Sequence, residues 1–346
     1  MELRLGVIGV GGLGYLQLEI YDEMPSVEIV AATDVSPGAR DVVESEFGAA
    51  TYEDYVQMLE ERGRELDAVT IVTPHRYHYE QTKACLRRNV HVLVEKPMVT
   101  DVGQAIHLCD VAERNDLVLQ VGYQRHFHPA FEEIRRLIES GRVGNVHMVS
   151  CHLGQDWIRP HEGTWRMNPE VSGGGQLYDT GSHLLDALLW TTEADPRSVV
   201  SQIEYYEPRI DVNSVLSLQL DRGGESVLAS VGLTGNGVAM DPWEGYNFWG
   251  TQGRIAYADG EITVAERDAV TYTTQITNNV DFRSLTTRKI RNFIDAIQGT
   301  TESRAPGEYG LKVTALTEAA YRAADDLEPV SIPGLIEEHR QQPPEP

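Results

Sequence analysis

Through the first third of the chain, short apolar runs alternate with amphipathic stretches. Leu3–Ile8, Glu28–Thr33, Asp67–Val72, Val90–Val94 and Leu117–Val121 are brief, β-branched and mostly apolar, the pattern of strands buried on both faces of a parallel sheet. Between them Tyr15–Glu23, Tyr52–Glu61, Tyr77–Arg88 and the stretch from Asp101 to Arg114 carry helical spacing, with Asp101 as an N-cap, and Pro129–Ser140 adds another helix. The alternation predicts an α/β fold, a Rossmann doubly wound parallel sheet. From Asn145 the pattern changes. Segments 146–153, 198–206, 213–220, 226–233, 246–250, 254–258 and 261–265 have strand character and are joined by short turns such as Asp221-Arg222-Gly223-Gly224. They predict a C-terminal α+β domain with a large open, mostly antiparallel sheet. One apolar helix ending near Trp190 interrupts that series, and helical patterns at 283–298 and 308–326 close it, the second placed to return onto the first domain. The expected division is a dinucleotide-binding domain over 1–124, a substrate-binding and oligomerisation domain over 125–332, and a flexible tail over 333–346.

Composition adds constraints. No apolar run reaches the roughly 18 residues of a membrane span, and Met1-Glu2-Leu3-Arg4 leads straight into a strand, so a cytoplasmic protein is expected. Cys85, Cys109 and Cys151 are widely spaced among apolar neighbours and read as buried thiols. Acidic residues number 53 against 29 basic ones, a formal charge of −24, which disfavours nucleic acid and anionic membranes as partners. The only lysines are Lys83, Lys96, Lys289 and Lys312. Acid excess with scarce lysine resembles proteins of salt-loving organisms, in which self-repulsion is screened.

Three stretches carry candidate chemistry. Gly9, Gly11 and Gly14 follow the first strand with the spacing G-x-G-x-x-G, which permits a tight turn, close approach of a pyrophosphate and packing of helix on strand. Asp34 ends the second strand, where a carboxylate binds the adenosine ribose hydroxyls and repels a 2′-phosphate; no adjacent arginine welcomes that phosphate, although Arg40 lies further on. NAD is therefore expected over NADP. Glu95-Lys96-Pro97 follows an apolar strand at the sheet end where ligands sit, although the tripeptide also fits a strand-end lysine paired with a surface glutamate. In the second half, Gly173-Gly174-Gly175 leads into a helix carrying Asp179 and His183, four residues apart and on one face if both are helical. An N-cap aspartate and a core histidine fit equally. His75 with His78, and His126 with His128, lack a third ligand at useful spacing, so no metal is expected and loop histidines beside the cofactor are the reading.

Taken in order, these features resemble the Gfo/Idh/MocA oxidoreductases, the glucose–fructose oxidoreductase and inositol dehydrogenase group. The resemblance rests on Gly9-Val10-Gly11-Gly12-Leu13-Gly14, Thr73-Pro74 with His78, Glu95-Lys96-Pro97, Val121-Gly122-Tyr123-Gln124-Arg125, Trp165-Arg166, Asp179-x-x-x-His183 and Gly250-Thr251-Gln252-Gly253. It spans nearly the whole chain. It implies a cofactor site built from Gly9, Gly11, Gly12, Leu13, Gly14, Asp34, Thr73, Pro74, His75, His78, Glu95 and Lys96. It also implies His183 as general base, Lys96 as the donor that stabilises the developing alkoxide, and Asp179 as their partner and a holder of a neighbouring substrate hydroxyl. Gln124, Arg125, Asp156, Trp157, Trp165, Arg166 and Thr180 are candidate pocket walls by position. Histidine at 183, where some relatives carry tyrosine, favours the alcohol-dehydrogenase-like members. The implied activity is NAD-dependent oxidation of a sugar, an inositol-like cyclitol or a related polyol by a homodimer or homotetramer assembled through the C-terminal sheet. A glycosidase that oxidises a hydroxyl transiently, and a dinucleotide-sensing protein, are the alternatives.

Overall fold

Six parallel strands make the sheet that the alternating pattern predicts. The computed structural model describes residues 2–206, 209–238, 243–268, 271–275 and 280–342. The first half runs β1 (Leu3–Ile8), α1 (Gly12–Asp22), β2 (Val27–Thr33), α2 (Pro37–Phe47), β3 (Ala50–Tyr52), α3 (Tyr55–Arg62) and β4 (Ala68–Ile71). It continues through α4 (His78–Leu86), β5 (His91–Val94), α5 (Val102–Arg114), β6 (Leu119–Val121) and α6 (Pro129–Glu139). The strand order β3-β2-β1-β4-β5-β6 reverses direction between β1 and β4, and ligands bind at such a switch point. Caps set the helix starts. Asp101 Oδ1 accepts from Gln104 N at 2.8 Å, and Ser36 caps α2 with Pro37 in its first turn. Helix α2 and strand β3 were not foreseen, and the helix expected from Tyr52 starts at Tyr55 because Asp54 caps it.

The second half contributes β7 (Val146–Gly154), α7 (Ile158–His161), α8 (Pro169–Ser172) and α9 (Ser182–Thr192). The strands β8 (Asp195–Tyr206), β9 (Ile210–Arg222), β10 (Glu225–Thr234), β11 (Glu244–Gly250), β12 (Gly253–Ala258), β13 (Glu261–Glu266) and β14 (Tyr272–Gln275) follow. The chain then runs through α10 (Phe282–Ile297), α11 (Gly307–Asp326), β15 (Val330–Ser331) and α12 (Ile332–Gln341). The nine-stranded sheet, in order β14-β13-β12-β11-β7-β10-β9-β8-β15, is antiparallel except where β7 pairs with β10. Burial alternates along β8, β9 and β10, so one face packs inward while the other stays open.

Both late helices return to the first half. Ile290, Phe293 and Ile294 of α10 share a core with Leu3, Leu5, Val7 and Leu18, and α11 lies between α5 and β8. The reading from sequence assigned this return to the second helix alone. The stretch from Pro333, expected to be a flexible tail, is helical over Ile332–Gln341: Ser331 caps it, Pro333 suits its first turn, and Ile332 and Leu335 are buried. Residues 343–346 lie outside the described residues. Among the described residues, no helix is long and apolar enough to cross a membrane.

Candidate active site

The glycine turn between β1 and α1 forms one wall of a cavity of about 280 Å³, lined further by Thr73, Pro74, His75, Glu95, Lys96, Trp165 and Arg166. Each glycine has its own reason. Gly9 adopts φ +89°, and a Cβ on Gly14 would come within 2.0 Å of Gly9 O, so helix could not approach strand. Gly11 and Gly12 have no atom within 4 Å of the Cβ direction and face open space at the start of α1, whose first turn holds no acidic residue. Free N–H groups, the positive end of a helix and a side-chain-free approach fit a dinucleotide diphosphate. Asp34, just past β2, is tied to the glycine turn, with Oδ2 accepting from Val10 N at 2.9 Å and Oδ1 from Ser36 N at 2.8 Å. A carboxylate has about four acceptor positions, so room remains on it for ribose hydroxyls. Arg40 Nη1 donates to the Asp34 backbone oxygen at 2.6 Å and so stands beside it.

Opposite the glycines, Lys96 follows β5, and its Nζ donates to Asp179 Oδ1 at 2.5 Å and to Asp179 O at 2.8 Å. The buried Asp179 carboxylate also accepts from Trp157 Nε1 at 2.8 Å and Arg166 Nε at 3.2 Å, with His161 Nε2 at 3.8 Å. Burial alone would push its carboxyl up, but Lys96 foremost, then Arg166 and His75, hold it well below the usual carboxylate range. Asp179 lies in a π-type turn, Leu177–Gly181, that runs directly into α9 and carries the chain on to His183. His183 packs edge-on against Tyr123 at 6.2 Å, and its Nδ1 is buried without a partner. Burial, then the charges of Lys96 and Arg125, hold its pKa well below that of free histidine, so it is a neutral imidazole at pH 7. Thr180 Oγ1, Gln155 Oε1 and Tyr123 Oη are likewise buried and unpartnered.

Several sequence-nominated residues lie elsewhere. His78 is fully buried with its ring nitrogens 2.8 Å from the carbonyl oxygens of Pro97 and Thr73, one of which accepts the single N–H of the neutral ring, so it is held among the loop backbones instead of reaching a cofactor. His75 Nδ1 donates to the Ser172 backbone oxygen, 2.8 Å away, and the ring packs edge-on against Trp165. His126 is not beside the cofactor cavity: it is a core residue held between Asp186 Oδ1 and the Arg304 carbonyl and stacked on Trp190. His128 caps α6. Arg125 is no free pocket wall, because Glu244 on β11 holds its guanidinium at 2.9 and 2.5 Å. Asp156 lies 3.5 Å from Arg159, while Gln124 opens a short 3₁₀ turn, Gln124–Phe127. Trp165 and Arg166, nominated for substrate, line the same cavity as the glycine turn. Sequence reading missed His161, Glu244 and Lys289; nothing in their local pattern marks them, since each acquires its meaning from a partner distant in the chain, Asp179, Arg125 and Glu95 in turn. Among the described residues no three His, Cys, Asp or Glu side chains are arranged to hold a metal ion.

Comparison with known proteins agrees with the fold. Residues 3–123 match the oxidoreductase family of NAD-binding Rossmann fold, and residues 131–256 match the GFO/IDH/MocA C-terminal domain. The rhizopine catabolism protein MocA of Rhizobium meliloti is 33% identical over 195 residues, covering 56% of this chain and 59% of that protein. With several other curated relatives too, the matched region is only about half of their length. Two matches run nearly end to end. D-xylose 1-dehydrogenase [NADP(+)] of Haloarcula marismortui is 25% identical over 93% of this chain and 91% of its own. Inositol 2-dehydrogenase of Rhizobium meliloti is 24% identical over 96% of this chain and 100% of its own. Among solved structures, levoglucosan dehydrogenase in complex with NADH superposes with a TM-score of 0.87 at 19% identity, covering 96% of this chain and 100% of that one, a likeness of fold. The Rossmann half, the second sheet and both sequence matches converge: the chain belongs to the Gfo/Idh/MocA family of oxidoreductases.

Proposed function

We propose that this protein oxidises a secondary hydroxyl of a sugar, cyclitol or related polyol, with NAD preferred as the acceptor. A bound nicotinamide would supply the hydride acceptor; the chain supplies positioning and the proton. The observation that carries the reading is the contact between Lys96 and Asp179, which sets an ammonium at the cavity of the glycine turn, with neutral His183 four residues on from Asp179 and within reach of the Lys96 charge. Two of the three Lys96 hydrogens are taken by Asp179, which leaves one for the substrate oxygen as it gains negative charge. Neutral His183 accepts the hydroxyl proton. Asp179 already receives three donors, so its main effect is to aim Lys96. The unpartnered hydroxyl oxygen of Thr180, next to Asp179 in the chain, offers a partner to a ligand rich in hydroxyls, as sugars and inositols are.

Asp34 supports NAD, since a 2′-phosphate would meet its carboxylate; Arg40 beside it is the feature that tempers the preference. The full-length relatives named for xylose and inositol support the substrate class. The open face of the large sheet exposes Met148, Val200, Val215 and Leu228, which supports assembly through that face, and the acidic surface suits a cytoplasm rich in salt.

The test follows absorbance at 340 nm with NAD and NADP against sugars, sugar acids, inositols and glycosides, at low and molar salt. Net reduction with a free polyol, faster with NAD and lowered at least about a hundredfold in His183→Ala, is the expected result. Silence with free polyols, together with cleavage of a glycoside and no net NADH, overturns it in favour of the glycosidase chemistry.

A further inference from the structure

Lys289 takes no part in the chemistry above, yet among the described residues it is the one fully buried lysine or arginine. It projects from α10, the helix packed on the first sheet. Its Nζ donates to Glu95 Oε1, the oxygen that also accepts from Gln17 Nε2 at 2.6 Å. Its own backbone oxygen accepts from Gln120 Nε2 at 3.0 Å, which fixes the helix against β6. Glu95 is 7% exposed and lines the cavity next to Lys96. Its second oxygen, Oε2, lies over Gly122, where an added Cβ would come within 2.3 Å.

A carboxylate so buried goes to its neutral form unless a cation or several donors hold the charge. Gln17 supplies one neutral donor; Lys289 supplies the charge. We propose that Lys289 is a positioning residue of the cofactor site, holding Glu95 as a carboxylate where it lines the cavity beside Lys96. The cofactor part of this rests on the function proposed above. The arrangement also explains why a helix that follows the whole second sheet is locked to the loop that carries Lys96: the charge of one completes the other.

The test compares wild type, Lys289→Met and the pair Lys289→Met/Glu95→Gln as full-length proteins at fixed molar salt, which screens buried pairs little. Urea midpoints of the apoprotein are measured from pH 5.5 to 8.5. In Lys289→Met the unpaired Glu95 has a folded pKa raised above its unfolded value, so the folded state gains a proton as pH falls. Its stability deficit relative to wild type therefore shrinks toward pH 5.5, and the pair variant shows no such trend. NADH binding, read by nicotinamide fluorescence at pH 8, weakens about tenfold or more in Lys289→Met. A deficit constant across the range, or a trend unchanged in the pair variant, overturns the proposal. Folding of the pair variant where Lys289→Met alone fails supports it; failure of both makes Lys289 an anchor of α10 only and overturns it. Wild type that binds neither NADH nor NADPH defeats the cofactor reading and the positioning role with it, whereas failure of the pH test alone leaves the cofactor reading standing.

Discussion

A carboxylate as buried as that of Asp179 ordinarily takes up a proton, and here three donors keep it anionic. The histidines around it go the other way. His75, His78 and His183 are all held below the usual histidine pKa, by burial first in each case. Their unfolded counterparts titrate near 6.5. Below that pH the unfolded chain binds protons that the folded one refuses, so stability present at pH 7.5 is lost as pH falls. Each histidine contributes up to about 1.4 kcal/mol per pH unit to that slope. Urea midpoints should accordingly be lower at pH 5.5 than at pH 7.5, and a His75→Gln variant should show a shallower fall.

Between residues and the whole stand the turn-and-helix units that present them. The β1–α1 unit works because Gly14 lets α1 settle onto Gly9, and a Gly14→Ala variant, whose Cβ would stand 2.0 Å from Gly9 O, must push the helix away. We expect it to lose NADH binding by at least about tenfold while far-ultraviolet circular dichroism stays close to wild type, since the clash is confined to one turn. The α9 unit solves a different problem. A π-type turn over Leu177–Gly181 inserts ahead of the regular helix, and such turns recur at functional sites. It gives Asp179 to Lys96 while α9 carries His183 against Tyr123. Gly175 and Leu177, just before and within it, donate backbone N–H groups to Asp211 of β9, so the large sheet fixes the turn that serves the small one.

For the molecule as a whole, charge and exposed apolar surface make opposing demands. A formal charge of −24 favours separation of copies, whereas Met148 and Leu228, directly paired across β7 and β10, stay exposed on the open sheet face with Val200 and Val215. Assembly through that face predicts salt-dependent association: light scattering after size exclusion should show a larger species at 2 M than at 0.1 M KCl. Leu228→Glu with Val215→Glu should give monomer at both.

The period of apolar residues determined the two sheets, because a strand buried on both faces and a strand buried on one leave different local records. The glycine spacing, Asp34 and Glu95-Lys96-Pro97 were legible for a similar reason: each depends on backbone geometry within a few residues, as does the four-residue step from Asp179 to His183. The flexible tail and the places of His78, His126 and Arg125 were misjudged because their partners, Pro97, Asp186 and Glu244, or the surface that receives Ile332, come from other elements. What tertiary structure alone decided is which charges meet. Lys96 finds Asp179 83 residues away, and Lys289 finds Glu95 across 194, and no local pattern encodes a pair that exists only when two distant elements exclude water together.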